Sequence, residues 1–398
     1  MQPLSELLEK KRTLIVVGPG GVGKTTTSAA FAVQAARMGL KVLVLTVDPA
    51  RRLAQSLGLE ELGNVEVEID PALFEAAGAS VVPGGRLFGM MLDTKSTFDG
   101  VVNRYAPNDA VRDSIFSNPF YEQASTALAG SQEYMAMEKL YEIREQRDYD
   151  LIVLDTPPTP NALDFLSAPD RLEDFFDSDG TKMLLKGMKA ASKLGFGFLK
   201  VNTFVMKRIN KFVGMETFIG LMEFIQAFRD MYGGFKERAG HVRRILRSDD
   251  VAFVIVTSTD QTSIAESSFF YEQLDAQKMP FGGVVVNRVR KSYLTVEQLD
   301  GLQAHLMSYQ GKLEGVDPAL AADALETTAV ACTAYQTLSQ VDQERLVQIR
   351  ERFSEHADRI YPVQLFEEDI HDIGGLAMFA ERVVAVGDSN SSSVVELP

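Results

Sequence analysis

Cysteine occurs once in this chain, as Cys332. One cysteine cannot close a disulfide within the chain or supply a Cys-based zinc site, and it suits a reducing cytoplasm. Positive charge is also scarce: 40 Lys and Arg stand against 55 Asp and Glu, a net charge of −15. So acidic a surface repels nucleic acid, which argues against a general or specific nucleic-acid binder. No apolar run reaches the length of a membrane span. The stretch from Met1 to Arg12 mixes charges with leucines and lacks the apolar core of a secretion signal, so secretion is not expected. Repeats of fixed period are missing as well. What remains is an ordinary globular composition, 45% hydrophobic and 24% charged. With 398 residues, the chain is long enough for two or three domains, or for one α/β domain with a helical insertion.

Short apolar runs alternate with longer helical patterns. The runs are Thr13–Val17, Val42–Val47, Leu87–Leu92, Leu151–Leu154, Val251–Thr257 and Val284–Val286, with Ile360–Leu365 weaker. Continuous apolar runs suit strands buried on both faces, as in a parallel sheet. The alternation therefore predicts an α/β fold with a doubly wound, mainly parallel sheet. It breaks at about 96–146 and again at about 166–247, and both stretches read as helix. Together they predict a helical subdomain inserted into a P-loop domain spanning 1–386. The Ser-rich tail, 387–398, is expected to be disordered.

The run Gly18-Pro19-Gly20-Gly21-Val22-Gly23-Lys24-Thr25-Thr26 matches the phosphate-loop pattern G-x-x-x-x-G-K-[ST]. An apolar strand precedes it and a helical pattern, Ser28–Met38, follows. Glycines let backbone N–H groups converge on phosphate oxygens, and the new helix adds the positive end of its dipole. Lys24 is placed to reach the β- and γ-phosphates and Thr25 to ligate Mg²⁺. Leu151–Asp155 is an apolar strand ending in a carboxylate, the expected shape of the second, metal-holding aspartate. By itself such an Asp could equally cap a turn. With the loop upstream, Asp155 becomes a metal-site candidate beside Thr25. The expected cofactors are ATP or ADP and Mg²⁺.

Three further segments narrow the class: Thr46-Val47-Asp48-Pro49-Ala50, Asp155-Thr156-Pro157-Pro158-Thr159 and Val285-Val286-Asn287-Arg288. With the Gly-Gly-Val-Gly-Lys-Thr-Thr loop, they resemble the ArsA-type ATPases, which include the arsenite-pump ATPase and the guided-entry ATPase for tail-anchored membrane proteins. That family belongs to a larger group of dimeric P-loop proteins. Gln364–Ile370 is similar to the family's loop after the last strand. The resemblance implies a dimeric ATP-hydrolysing switch. It implies that Asp48 positions the attacking water, that Asp155 senses the γ-phosphate through Mg²⁺, and that Asn287 selects adenine. Without the family, Asp48 could be a turn Asp before proline.

The departures from the family are specific. Pro19 stands where the family carries a lysine that reaches the partner subunit's phosphates. No Cys-x-x-Cys pair is present to clamp a dimer with zinc, and Cys332 alone cannot gather metalloid, so an arsenite pump is less favoured. Arg51 and Arg52 follow Asp-Pro-Ala, where the family often has His. A homodimer and a heteromer with a paralogue both stay open, as does a low-turnover subunit.

Between Thr181 and Met215 there are eight basic residues and no acidic one. Lys182, Lys186, Lys189 and Lys193 fall on one helix face, beside Met183, Leu184, Leu185 and Met188. Further on, Phe and Met recur as far as Phe235, Phe224 among them. One reading is a surface that holds an apolar client helix or a membrane-associated protein. The other is a Met/Phe core under a solvated lysine face.

Overall fold

The structure, a computed structural model, describes residues 4–47, 52–121, 131–157, 178, 220, 224–227, 237–238, 240–309 and 317–385. Eight strands among them form one sheet: β1 (Thr13–Val17), β2 (Lys41–Thr46), β3 (Val67–Glu68), β4 (Arg86–Met91), β5 (Leu151–Asp155), β6 (Val251–Ser258), β7 (Phe281–Val289) and β8 (Ile360–Gln364). The spatial order is β3-β4-β2-β5-β1-β6-β7-β8. Every adjacent pair is parallel except β3–β4. The seven apolar runs are thus seven strands of a mainly parallel sheet. The eighth, β3, has two residues and pairs antiparallel at the edge, where Arg86 holds Glu68 through two 2.7 Å hydrogen bonds. So short and charged an edge offers little to a pairing strand.

β1 shows why these runs carry no polar alternation. Leu14 and Val16 face one layer, with Leu4 and Leu8 of α1 (Leu4–Lys10), Phe31 of α2 (Lys24–Arg37), Leu53 of α3 (Arg52–Ser56), Phe74 of α4 (Pro71–Ala76) and Phe379 of α11 (Ile373–Ala385). Ile15 and Val17 face the other layer. There they meet Phe98 of α5 (Thr94–Tyr105), Ile115 of α6 (Asp109–Phe116), Leu140 of α7 (Ser131–Gln146) and Ile264 of α8 (Gln261–Ala276). All four β1 side chains are essentially fully buried, and each such burial is worth about 1.5–3 kcal/mol.

The first stretch expected to be helical contains α5, α6 and α7. Of the second, residues 224–227 and 240–246 are helical, and the lysine-rich run Thr181–Met215 lies outside the described residues, as does the tail 387–398. Phe224, the one described member of the Met/Phe series, is buried in the layer of Phe98 and Ile264.

Two helices follow β7. α9 (Val296–Met307) starts with a capping box of Thr295 and Gln298. α10 (Pro318–Arg352) starts behind Asp317, whose carboxylate accepts from the N–H groups of Ala319 and Leu320, with proline at the first turn. Its second half is tied down by a stripe of Gln336, Ser339, Asp342, Leu346 and Ile349, and its first half buries Ala321 and Ala329. No described helix is long and apolar enough to cross a membrane.

Candidate nucleotide site

The loop between β1 and α2 lies at the carboxyl ends of the central strands, where ligands bind in open parallel sheets. Its close packing dictates glycine at two positions. At Gly18 (φ +147°) a Cβ would sit 2.1 Å from the carbonyl oxygen of Val256, and at Gly23 (φ +99°) it would sit 2.4 Å from the side-chain nitrogen of Asn287. Lys24 opens α2. Its buried ammonium curls back over the loop and donates to the carbonyl oxygens of Gly18 at 2.9 Å and Pro19 at 2.8 Å. Pro19 itself is buried, while Gly20 and Gly21 are exposed.

The carboxylate of Asp155 is fully buried and gathers three hydroxyls from two segments. Thr25 of α2 donates to one of its oxygens across 2.8 Å, and Thr46 at the end of β2 donates to the same oxygen across 2.9 Å. Ser28, one turn along α2, reaches the other oxygen at 3.4 Å. The backbone joins the same strands beyond their ends: Val47 donates to the carbonyl oxygen of Asp155 at 3.3 Å. On the far side of Asp155, the hydroxyl of Thr156 donates to the carbonyl oxygen of Val16 at 2.8 Å. Thr25 and Asp155 thus offer hard oxygen ligands side by side. That fits Mg²⁺, which takes one or two protein oxygens and completes its shell with phosphate and water.

A cavity of about 260 Å³ opens over the loop, floored by Gly21, Gly23, Lys24, Thr25 and Thr26. One wall is α3, whose Arg52, Gln55 and Ser56 share a helix face. The opposite wall carries Arg288 from β7 and Ile370 and His371 from the loop after β8; His371 Nδ1 lies 2.8 Å from the carbonyl oxygen of Asp369. Arg288, Gln55, Ser56 and His371 were not singled out in the sequence, where no local pattern marks them.

Asn287 lies under the loop rather than open to the cavity. It is 6% exposed, its amide donates to the carbonyl oxygen of Val22 at 2.9 Å, and its side-chain oxygen accepts from the N–H of Arg288 at 2.9 Å. Asp48, with Pro49, Ala50 and Arg51, lies outside the described residues.

A glycine-rich turn that feeds a central parallel strand into a helix, with a lysine curled over it, is the phosphate-binding device of the P-loop nucleotide-binding proteins. Within that class the chain belongs to the anion-transporting ATPase family, whose model matches residues 11–294. It is an ATPase. Among curated proteins it is similar to the ATPase get3 of Aspergillus terreus, 25% identical over 293 residues that cover 73% of this chain and 77% of that protein. The ATPase get3 of Aspergillus niger is 24% identical over the same share of both chains.

Proposed function

We infer that this ATPase is a dimeric, Mg²⁺-dependent switch that couples ATP hydrolysis to the handling of an apolar client. The observation that carries this reading is the position of Asp155. One buried carboxylate is tied to the phosphate loop through Thr25 and to the exit of β2 through Thr46, and the next residue of its own chain, Thr156, is bonded to Val16 of β1. A change at the γ-phosphate therefore reaches both flanking segments at once. In this reading the loop N–H groups and Lys24 hold the β- and γ-phosphates, and Thr25 and Asp155 hold Mg²⁺, Asp155 through water. Bound there, the metal neutralises charge that builds up on the phosphoryl oxygens. Asp48, one residue beyond Val47, orients the attacking water. Asn287, braced against Val22, gives the adenine preference.

The client assignment rests on the resemblance to guided-entry ATPases and on relatives named ATPase get3. The client class is an apolar helix such as a tail-anchored membrane protein carries. It is held by a helical subdomain built from the stretches at 96–146 and 166–247, in the cytoplasm. The burial of Phe224 is equally consistent with part of that Met/Phe series being core.

A second reading has its own observation. Pro19 is buried and uncharged where the family has a lysine, so a homodimer lacks that charge. A paralogous subunit supplying it in a heteromer, with slow turnover by this chain alone, follows from the same site.

Isothermal titration with Mg-ATP, alongside phosphate-release assays, tests the site. Wild-type protein binds and hydrolyses ATP, and Lys24→Ala loses most of the affinity. Equal affinity in the two proteins sinks the phosphate-loop assignment.

A further inference from the structure

Arg288 has a backbone that its sequence does not ask for. Its φ is +59°, a left-handed conformation that an arginine adopts at a penalty and glycine adopts freely. The pairing of β7 with β8 slips at the same place, between Val286 and Val289. Bulges of this kind re-aim a side chain, and strained residues concentrate at ligand sites when their surroundings hold them. Here the surroundings do. On one side, Asn287 caps the N–H of Arg288 and is itself bonded to Val22. On the other, the buried carboxylate of Asp342 in α10 accepts from the N–H of Arg290 at 2.9 Å, from its guanidinium at 3.1 Å, and from Thr259 beyond β6 at 2.6 Å. The residue between these two anchors is exposed, lines the cavity, and has no carboxylate partner among the described residues.

The sheet order says which end of a nucleotide it meets. The hydroxyl–carboxylate cluster of Thr25, Thr46 and Asp155 lies on the β5–β2 side of β1, and Arg288 comes from the β6–β7 side. A triphosphate with its γ-end at that cluster turns its α-phosphate toward Arg288, beside Val22 and Gly23.

We propose that Arg288 is a nucleotide-binding residue whose guanidinium pairs with the α-phosphate, a part that ATP and ADP share. The inference rests on the phosphate-loop reading. A planar guanidinium suits a phosphate because it stays charged and can donate two parallel hydrogen bonds. The slipped pairing and the left-handed turn are then the means of presenting it.

The test uses Arg288→Gly and Arg288→Lys in the full chain, with titration of ATP and ADP and steady-state hydrolysis. Glycine relaxes the turn, so unliganded Arg288→Gly melts no lower than wild type. Its ATP and ADP dissociation constants both rise about tenfold, as expected for one lost charge-assisted hydrogen bond. KM rises by the same factor, with kcat carrying the smaller change, and Arg288→Lys recovers part of the loss. The gap between wild type and Arg288→Gly narrows as salt is raised. Unchanged ADP affinity overturns the proposal. So does a loss confined to kcat, which would move the residue to the γ-phosphate, and so does a salt-independent gap, which would make it a stacking surface for the base. Failure of wild-type protein to bind ATP, or full binding by Lys24→Ala, defeats the phosphate-loop reading instead.

Discussion

The side-chain amide of Asn287, at the end of β7, donates to the carbonyl oxygen of Val22 in the phosphate loop across 2.9 Å. An amide nitrogen carries two protons, and this bond uses one. Asn287→Ala should therefore do two things. It leaves a buried carbonyl unmet, which costs about 1–3 kcal/mol and lowers the melting temperature. If Asn287 also reaches the adenine, a preference for ATP over GTP in wild type, read as a ratio of dissociation constants, falls toward one. A preference that survives the mutation would leave Asn287 as a brace alone.

Asp155→Asn replaces an acceptor of three hydroxyls with a group that is half donor. Hydrolysis should fall about a hundredfold, the scale on which removing one preorganised charge interaction acts. The Mg²⁺ concentration for half-maximal activity should rise with it. Unchanged Mg²⁺ dependence, measured at saturating ATP, would remove Asp155 from the metal site.

Asp48→Asn should keep ATP binding and lose hydrolysis. The reason is its place one residue past Val47, whose N–H is already bonded to Asp155. Single-turnover phosphate release after rapid mixing checks it, and a normal burst would mean that another group orients the water.

Arg52 lines the same cavity as Lys24 and Thr25, from a helix face it shares with Gln55 and Ser56. If it supplies the charge that Pro19 cannot, Arg52→Ala should lower turnover at least tenfold with ATP affinity intact. An arginine brought to a transferring phosphoryl group is worth about a thousandfold or more elsewhere. If a paralogous subunit supplies the charge instead, Arg52→Ala should change little and Pro19→Lys should raise the activity of the isolated chain. The lysine would have to leave the buried position of Pro19 to do so. Fast turnover indifferent to both changes would mean that no such charge is needed.

The central strands β1, β5 and β6 were legible because each is covered on both faces, which leaves an apolar run with little polar to interrupt it. β3 was not, since two residues carry no pattern and Glu68 is there for Arg86. α10 was hidden for a different reason. Its packed stripe keeps helical spacing, but Gln336, Ser339 and Asp342 fill it with hydrogen bonds to the segment Arg290–Leu294 where apolar contacts would be expected. The site was half legible. Gly18–Thr26 and Asp155 follow from chemistry that needs those residue types in that order. Arg288 does not, because nothing in Val-Val-Asn-Arg-Val announces a left-handed turn, and a distant carboxylate on α10 helps to hold it.

That carboxylate makes α10 a lever. From Asp342 to the helix start at Pro318 the axis runs about 36 Å at 1.5 Å per residue. Arg290, two residues from Arg288 in the cavity wall, forms the short arm through its bonds to Asp342. A tilt of about 5° at that anchor carries the far tip through about 3 Å over this length. Small displacements at the mouth of the cavity would therefore reach the start of the helix, where Ala321 and Ala329 are packed, as movements the size of a side chain.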